Sequence, residues 1–222
     1  MMAGDPYLKQ RIEMVDMLKK QKIIISNNVY EAMRKVPRHL FVPEEVQAYA
    51  YKDSPQKIGF QQTISAPHMN AMMCEYLEIE FGQKILEIGT GSGYHASLLS
   101  ELTSSIGQVY TIERIKDLGE KAKRILFDLN YNNISVIIGD GTLGLPEYAP
   151  FDRILVTAAS PKINRNLLLQ LSSDDGILCI PVGKRNSDQE LLVIQRKGDN
   201  YIKRKVCGVI FVPLIGEKGF KS

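Results

Sequence analysis

The sequence predicts an α/β protein in which a mostly parallel seven-stranded sheet follows an N-terminal helical segment. From residue 83 onward, apolar stretches of strand length alternate with amphipathic stretches, a rhythm typical of a parallel sheet covered on both faces. The last two apolar stretches lie too close together for a crossover helix, which indicates a C-terminal antiparallel hairpin. A chain of 222 residues is within the range of one hydrophobic core. We therefore expect one domain over 1–222, with a helical cover at about 1–80 and the sheet core at about 81–222.

The N-terminal third shows helical periodicity and no strand–helix repeat. Apolar residues recur at helical spacing over 7–35, with a break at Ile23–Asn27, so two helices are expected. Pro37 and Pro43 end the helical character, and residues 46–55 are predicted to form an irregular cover. A further helix is predicted over 67–77, starting at an early proline.

Seven strands are predicted in the second part of the chain, with helices between the first five. Their bounds are Lys84–Ile88, Gln108–Glu113, Ile134–Ile138, Phe151–Thr157, Gly176–Val182, Glu190–Arg196 and Val206–Val212.

Composition and charge exclude several classes of protein. Hydrophobic residues make up 44% of the chain, but no segment approaches the ~20 apolar residues of a membrane span. The N-terminus does not resemble a secretory signal, so we expect a cytoplasmic protein, and a monomer. A net charge of +3 with scattered Lys and Arg does not indicate a nucleic-acid partner. The three cysteines are far apart and predict neither a disulfide framework nor a metal site.

The most informative motif is a glycine turn that follows the first predicted strand. Gly89, Gly91 and Gly93 stand at alternate positions directly before a helical pattern. Glycine permits a sharp turn and close backbone approach to a ligand, and the start of a helix presents free N–H groups to an anionic group. Tyr94 stands where the dinucleotide-binding pattern has a small residue, which argues against NAD. The turn resembles motif I of the S-adenosylmethionine (SAM) methyltransferases of Rossmann-like fold.

Two acidic residues at the ends of the next two strands extend this pattern. Glu113 follows the glycine turn by about 20 residues, where a carboxylate can accept hydrogen bonds from a ribose diol. Asp140 lies between Gly139 and Gly141 and could face an adenine amino group. Each has an alternative interpretation: Glu113 as a surface carboxylate, and the Gly-Asp-Gly tripeptide as an ordinary turn. Their shared position at strand ends favours a cofactor site.

Over most of its length the chain resembles the protein-L-isoaspartate (D-aspartate) O-methyltransferase family, which repairs damaged proteins. The Thr-Ile-Ser-x-Pro sequence at 63–67 and the Val-Pro-Leu sequence at 212–214 are particular to that family. Two positions depart from its pattern: Asp175-Gly176 replaces Gly-Gly, and Asn70 stands where some members have a His near the cofactor's carboxylate. The segments that carry the resemblance are 36–43, 61–69, 86–94, 139–141, 150–154, 180–183 and 211–214.

The resemblance implies SAM as cofactor, isoaspartyl peptides and proteins as substrates, and no metal. It also implies the site residues. Those expected to bind the cofactor are Thr63, Ile64, Glu87, Gly89, Thr90, Gly91, Gly93, Glu113, Arg114, Asp140 and Gly141. Those expected to bind the substrate are Ile58, Gly59, Ser65, Ala158, Ala159, Val212, Pro213 and Leu214.

The implied reaction transfers a methyl group from the sulfonium of SAM to the free α-carboxylate of an isoaspartyl residue, and the ester then closes to a succinimide. A carboxylate with a pKa near ~3.9 is already ionised, so no general base is needed. Ser65 is the expected catalytic residue, donating a hydrogen bond to the acceptor; alternatively it caps the helix that follows. His68 and His95 are interpreted as packing or capping residues.

Two other functions remain open at this point. One is a SAM methyltransferase of a small molecule or RNA, which would need the glycine turn, Glu113 and Asp140 but not the segments at 63–65 and 212–214. The other is a binding module that keeps the fold without catalysis.

Overall fold

The computed structural model describes residues 4–221; the two ends of the predicted domain, Met1–Ala3 and Ser222, lie outside the described residues. The α-helices are α1 (Leu8–Lys20), α2 (Asn27–Lys35), α3 (Pro67–Leu77), α4 (Tyr94–Thr103), α5 (Lys116–Asp128) and α6 (Arg165–Gln170). The strands are β1 (Gln56–Gly59), β2 (Gln62–Ile64), β3 (Lys84–Ile88), β4 (Gln108–Glu113), β5 (Ile134–Ile138), β6 (Arg153–Val156), β7 (Asp174–Lys184), β8 (Ser187–Lys197) and β9 (Asn200–Val209).

The predicted seven-stranded sheet is confirmed, with the strand order β5-β4-β3-β6-β7-β8-β9. The five strands β5, β4, β3, β6 and β7 run parallel to one another. Strand β8 runs antiparallel to both of its neighbours, β7 and β9. The chain runs from β3 outward to β4 and β5, then returns to the other side of β3 with β6. This reversal of direction leaves a crevice at the carboxyl ends of β3, β4 and β6, where open α/β sheets bind ligands.

Alternating side chains of the central strands build a core on each face of the sheet. Ile85 packs toward the face covered by α1 to α5, while its neighbour Leu86 packs toward the face covered by α6. Leu155 and Ile154 of β6 divide in the same way. Because both faces are covered, these strands are mostly apolar, with exceptions such as Glu87 in β3 and Arg153 in β6, and this pattern is why the sequence identified them.

Several element bounds differ from the predictions. Between β5 and β6 the expected helix is absent, and two short 3-10 turns, Gly141–Leu143 and Pro146–Tyr148, make the connection. The last three predicted strands are longer or displaced, most of all β9, which begins at Asn200 rather than Val206. β9 is an edge strand with exposed side chains, so its charged first half gave no apolar signal.

The predicted N-terminal helices are confirmed as α1 and α2, but the irregular cover after them is more ordered than expected. It contains 3-10 turns over Arg38–Phe41 and Glu44–Tyr49, then the hairpin β1–β2. Phe60 and Gln61 form its tip with φ of 51° and 59°, the left-handed region that two-residue hairpins require. Glycine or asparagine would have indicated this turn in the sequence; Phe-Gln did not.

No helix within residues 4–221 is both long enough and apolar enough to cross a bilayer.

Substituting Gly107 by alanine is expected to destabilise the protein. Gly107 lies just before β4, and a Cβ there would come within 2.7 Å of the carbonyl oxygen of Gln83, which already accepts a hydrogen bond from Thr103 Oγ1. Overpacking of this kind costs about 1–3 kcal/mol. Urea unfolding of Gly107→Ala should show this loss. Gly208→Ala is the matched control, since its nearest neighbour would be the Gln189 oxygen at 3.9 Å; equal stabilities of the two variants would contradict this account of the α4–β4 connection.

Candidate functional site

A cleft of about 800 Å³, partly open to solvent, lies at the carboxyl ends of β3, β4 and β6. Its floor is the glycine turn after β3 together with the ends of β4 and β6. The segment that joins β2 to α3 forms one wall, and the chain after β9 forms another. The cleft is lined by these site residues expected from the sequence: Thr63, Ile64, Ser65, Gly89, Thr90, Gly91, Glu113, Arg114, Gly141, Ala158, Val212, Pro213 and Leu214.

The glycine turn requires glycine at Gly89 for two reasons. Its φ is 98°, and a Cβ would collide with the hydroxyl of Thr157 at the end of β6. That hydroxyl donates a hydrogen bond of 2.7 Å to the carbonyl oxygen of Gly89 and so joins the ends of β3 and β6. Gly93, by contrast, does not line the cleft: with φ of 89° it starts α4 and packs against Leu126.

Glu113 holds the glycine turn in place from the end of β4. Its Oε2 accepts a hydrogen bond of 2.9 Å from the Gly91 N–H, and its Oε1 accepts one of 2.9 Å from the Ile115 N–H. Each carboxylate oxygen can accept a further bond, so the group can serve the turn and a ligand diol together. The surface alternative does not hold, because Glu113 is buried and lines the cleft.

Glu87 lies behind the turn instead of lining the cleft. The buried Thr111 hydroxyl donates to Glu87 Oε2 at 2.6 Å, and Thr111 Oγ1 lies 2.7 Å from Thr90 Oγ1. Burial raises the pKa of Glu87 to about 8, and its Oε1 has no hydrogen-bond partner within the described residues. Glu87 is therefore connected to the cleft through the hydroxyls of Thr111 and Thr90 and does not line the cleft itself.

Asp140 fastens the C-terminal segment and is not among the residues that line the cleft. Its Oδ1 accepts from the Thr142 N–H and hydroxyl, and its Oδ2 accepts a bond of 2.7 Å from the Glu217 N–H. Burial opposes ionisation, but these donors lower the pKa of Asp140 below its usual value. The neighbouring Gly141 does line the cleft.

The wall after β9 is held against the end of β6 by backbone hydrogen bonds. The Ala159 N–H donates to Val212 O, and the Leu214 N–H donates to Ala159 O, both at 2.8 Å. Ala159 thus supports the wall without lining the cleft. Ile58 and Gly59 also lie outside the lining; Ile58 is buried, and a Cβ on Gly91 would lie 3.4 Å from it.

Ser65 lines the cleft between β2 and α3. The N-cap of α3 is Ala66, and within the described residues the Ser65 hydroxyl makes no hydrogen bond, so the capping alternative is wrong. The Ser65 carbonyl accepts a hydrogen bond of 2.7 Å from Arg38 Nη2. The backbone is therefore anchored while the hydroxyl is available to a ligand.

The two histidines differ in position. His68 lies in the first turn of α3 and is capped rather than capping: Asp53 Oδ1 accepts a hydrogen bond of 2.9 Å from its N–H and lies 2.8 Å from its Nδ1. His95 is buried yet contributes to the cleft lining, which the sequence did not indicate. Burial and the charge of Arg38 lower the pKa of His95 to about 3, so the ring is neutral at physiological pH.

The structure adds lining residues that the sequence analysis did not assign to the site. Thr157 could have been found, since it ends a predicted strand at the crevice. Asn70 and His95 lie on helices α3 and α4, and no sequence signal places those two helix faces together. The added residues are Gln62, Asn70, Ile88, Ser92, His95, Ile112, Ile115, Thr157 and Ile215.

Comparisons with known proteins agree on one family. The family model described as protein-L-isoaspartate(D-aspartate) O-methyltransferase matches residues 9–219. Protein-L-isoaspartate O-methyltransferase 2 of Archaeoglobus fulgidus is 49% identical over 91% of this chain and 92% of its own. The Methanothrix thermoacetophila enzyme of that name is 50% identical, over 92% and 99%.

Solved structures give the same result. A protein-L-isoaspartate O-methyltransferase superposes with a TM-score of 0.85 at 26% identity, covering 94% of this chain and 67% of its own. A Plasmodium falciparum structure assigned to the same enzyme, in complex with S-adenosyl-L-homocysteine, has a TM-score of 0.81 at 27% identity over 92% and 98%.

Replacing Glu87 by glutamine should make stability less dependent on pH. The folded pKa of about 8 lies above 4.5, so between these values the folded state binds a proton that the unfolded state has lost, and stability falls as pH rises. Relative to the parent, Glu87→Gln should gain up to roughly 1.4 kcal/mol per pH unit in this window. Urea unfolding from pH 5 to 8 measures this, with exposed Glu120→Gln as control. A constant difference for Glu87→Gln across the window would refute the assignment.

Proposed function

Since this chain belongs to the protein-L-isoaspartate(D-aspartate) O-methyltransferase family, we propose that its cleft transfers a methyl group from SAM to the free α-carboxylate of an isoaspartyl residue. The ester is a better electrophile than the carboxylate, so the neighbouring amide nitrogen can close a succinimide, whose hydrolysis returns a fraction to normal aspartate. The family match covers nearly the whole chain, which favours this function over methylation of a small molecule or RNA.

The cleft fits SAM by the chemistry of its lining. The turn at Gly89 leaves no room for a side chain, so a ligand can lie against backbone, and the Glu113 carboxylate keeps acceptor capacity for a ribose diol. When bound, SAM supplies an electrophilic methyl group on a sulfonium. Glu113, Gly89, Thr90 and Gly91 would hold it, with Thr63 and Ile64 covering it from the β2 side.

The position of Ser65 in the cleft lining is the observation that supports the catalytic proposal. Ser65 lines the cleft, and within the described residues its hydroxyl makes no hydrogen bond while its carbonyl is fixed by Arg38. It would donate to one oxygen of the acceptor carboxylate and aim the other at the methyl group. Alignment of this kind can contribute roughly 7–11 kcal/mol at best. No proton has to be removed, and His95, neutral and buried, is a poor base.

Val212, Pro213 and Leu214 would form one wall of the peptide groove, and Ala158 would also line it. The groove must admit backbone on both sides of the damaged residue, so we expect flexible or extended substrate segments and weak sequence selectivity. Activity on D-aspartyl residues, a monomeric state, a cytoplasmic location and the absence of a nucleic-acid partner stay predictions.

The substrate assignment is tested with paired peptides that differ only in aspartate or isoaspartate. Incubated with methyl-labelled SAM, the isoaspartyl peptide should acquire base-labile methyl ester, whereas the aspartyl peptide should not. Equal labelling of both peptides would contradict the proposal.

Ser65→Ala and Glu113→Gln should separate catalysis from cofactor binding. Ser65→Ala is expected to lower kcat by roughly tenfold or more, because a hydrogen bond to a charged acceptor is lost, with little change in the Kd of S-adenosylhomocysteine. Glu113→Gln should mainly raise that Kd. Calorimetry and initial rates measure both, and Ser105→Ala, on an exposed turn, is the control. The reverse pattern would mean that the two roles are exchanged.

A further inference from the structure

A fully buried arginine lies beneath the Ser65 wall of the cleft. The Arg38 guanidinium donates three hydrogen bonds: to Ala50 O at 2.7 Å, to Asn70 Oδ1 at 3.0 Å and to Ser65 O at 2.7 Å. Its centre lies 4.9 Å from the centroid of the Tyr94 ring. Arg38 thus connects the 3-10 turn after α2 to both the β2–α3 segment and α3.

The positive charge of Arg38 has no acidic partner. Among residues 4–221 no carboxylate lies within 4.0 Å of its guanidinium nitrogens. Burial lowers the pKa of Arg38, but a guanidinium stays protonated in proteins. A buried cation is costly unless its environment compensates it; carbonyl oxygens and the Tyr94 ring do so here, and the more distant charge of Asp53 acts in the same direction.

Arg38 also fixes the hydrogen-bond direction of its neighbours. A guanidinium only donates, so the Asn70 oxygen must face Arg38 and the Asn70 amide nitrogen must face His95 Nδ1, at 3.1 Å. His95 Nδ1 then accepts, and its proton resides on Nε2, which lies 3.3 Å from Cys74 Sγ. The relay leaves one N–H of Asn70 uncommitted, and Asn70 lines the cleft.

We propose that Arg38 is a positioning residue that turns the Asn70 amide and the Ser65 segment so that this wall presents hydrogen-bond donors to a bound carboxylate. The inference rests on the proposed function for the identity of that carboxylate, which is either the α-carboxylate of the isoaspartyl residue or the methionine carboxylate of the cofactor. Both have the same chemistry, and binding measurements distinguish them.

The first test is the tautomer of His95 in the full-length protein without ligand. Nitrogen-15 NMR should show Nε2 protonated and Nδ1 unprotonated. Arg38→Met removes the donor that orients Asn70, so the variant should show a shift toward Nδ1 protonation. A wild-type ring protonated on Nδ1 overturns the proposal, as does a folded Arg38→Met variant with the same tautomer as wild type. This readout needs no activity, so it is independent of the proposed function.

The second test uses Asn70→Asp, which keeps the shape of the side chain, gives Arg38 a carboxylate partner and replaces the donor by a negative charge. The variant should be at least as stable as wild type, so loss of binding cannot be attributed to unfolding. Weakening by roughly tenfold or more is expected, in the Kd of S-adenosylhomocysteine if the cofactor's carboxylate is bound, or in the KM of the isoaspartyl peptide if the acceptor is.

Asn132→Asp is the matched control, because it adds the same charge on an exposed site just before the edge strand β5 and outside the cleft lining. It should leave both constants within about twofold of wild type. Unchanged Kd and KM in a folded Asn70→Asp variant overturn the proposal.

Discussion

The hydrogen bond between the Thr157 hydroxyl and the Gly89 carbonyl is the contact on which the cleft depends. Thr157 directly follows β6 and Gly89 directly follows β3, the two strands between which the chain reverses its direction across the sheet. The absence of a side chain at Gly89 lets the two strand ends approach, and the turn then exposes backbone to a ligand. Glu113 completes this arrangement from β4 through the Gly91 N–H. Three parallel strands thus deliver three groups to one place.

The two walls of the cleft are formed by segments that lie outside the seven-stranded sheet. The wall at Ser65 is held by Arg38, and the wall at Val212–Leu214 is held by Ala159 and, further along, by Asp140. Both walls are irregular backbone fixed by hydrogen bonds from buried side chains or strand ends. Geometry of this kind suits a reaction in which the nucleophile is already ionised and the enzyme contributes orientation.

Much of the fold could be predicted because buried parallel strands leave a continuous apolar signal. The bounds of β3, β4 and β5 match the sequence predictions residue for residue. The edge strand β5 is apolar enough to be found, but the edge strand β9 and the tight turns carried less information: β9 begins in a charged run, and the β1–β2 hairpin turns at Phe60-Gln61 without glycine. For the site, residues that follow one another in motifs were predicted and mostly line the cleft. His95 was not predicted, and Asn70 was noted only through the family resemblance, since their proximity depends on how α3 and α4 pack. Glu87 and Asp140 belong to the same motifs but do not line the cleft. Glu87 accepts a hydrogen bond behind the glycine turn, and Asp140 holds the C-terminal segment beside the cleft.

The claim that orientation replaces proton abstraction is tested most directly by the pH dependence of kcat for an isoaspartyl peptide between pH 5.5 and 7.5, with acid quenching to preserve the ester. The acceptor carboxylate is ionised and His95 is neutral throughout this range, so kcat should be independent of pH. A kcat that rises with pH through a single ionisation near 6.5 would show that a base takes part in the reaction and would contradict the account.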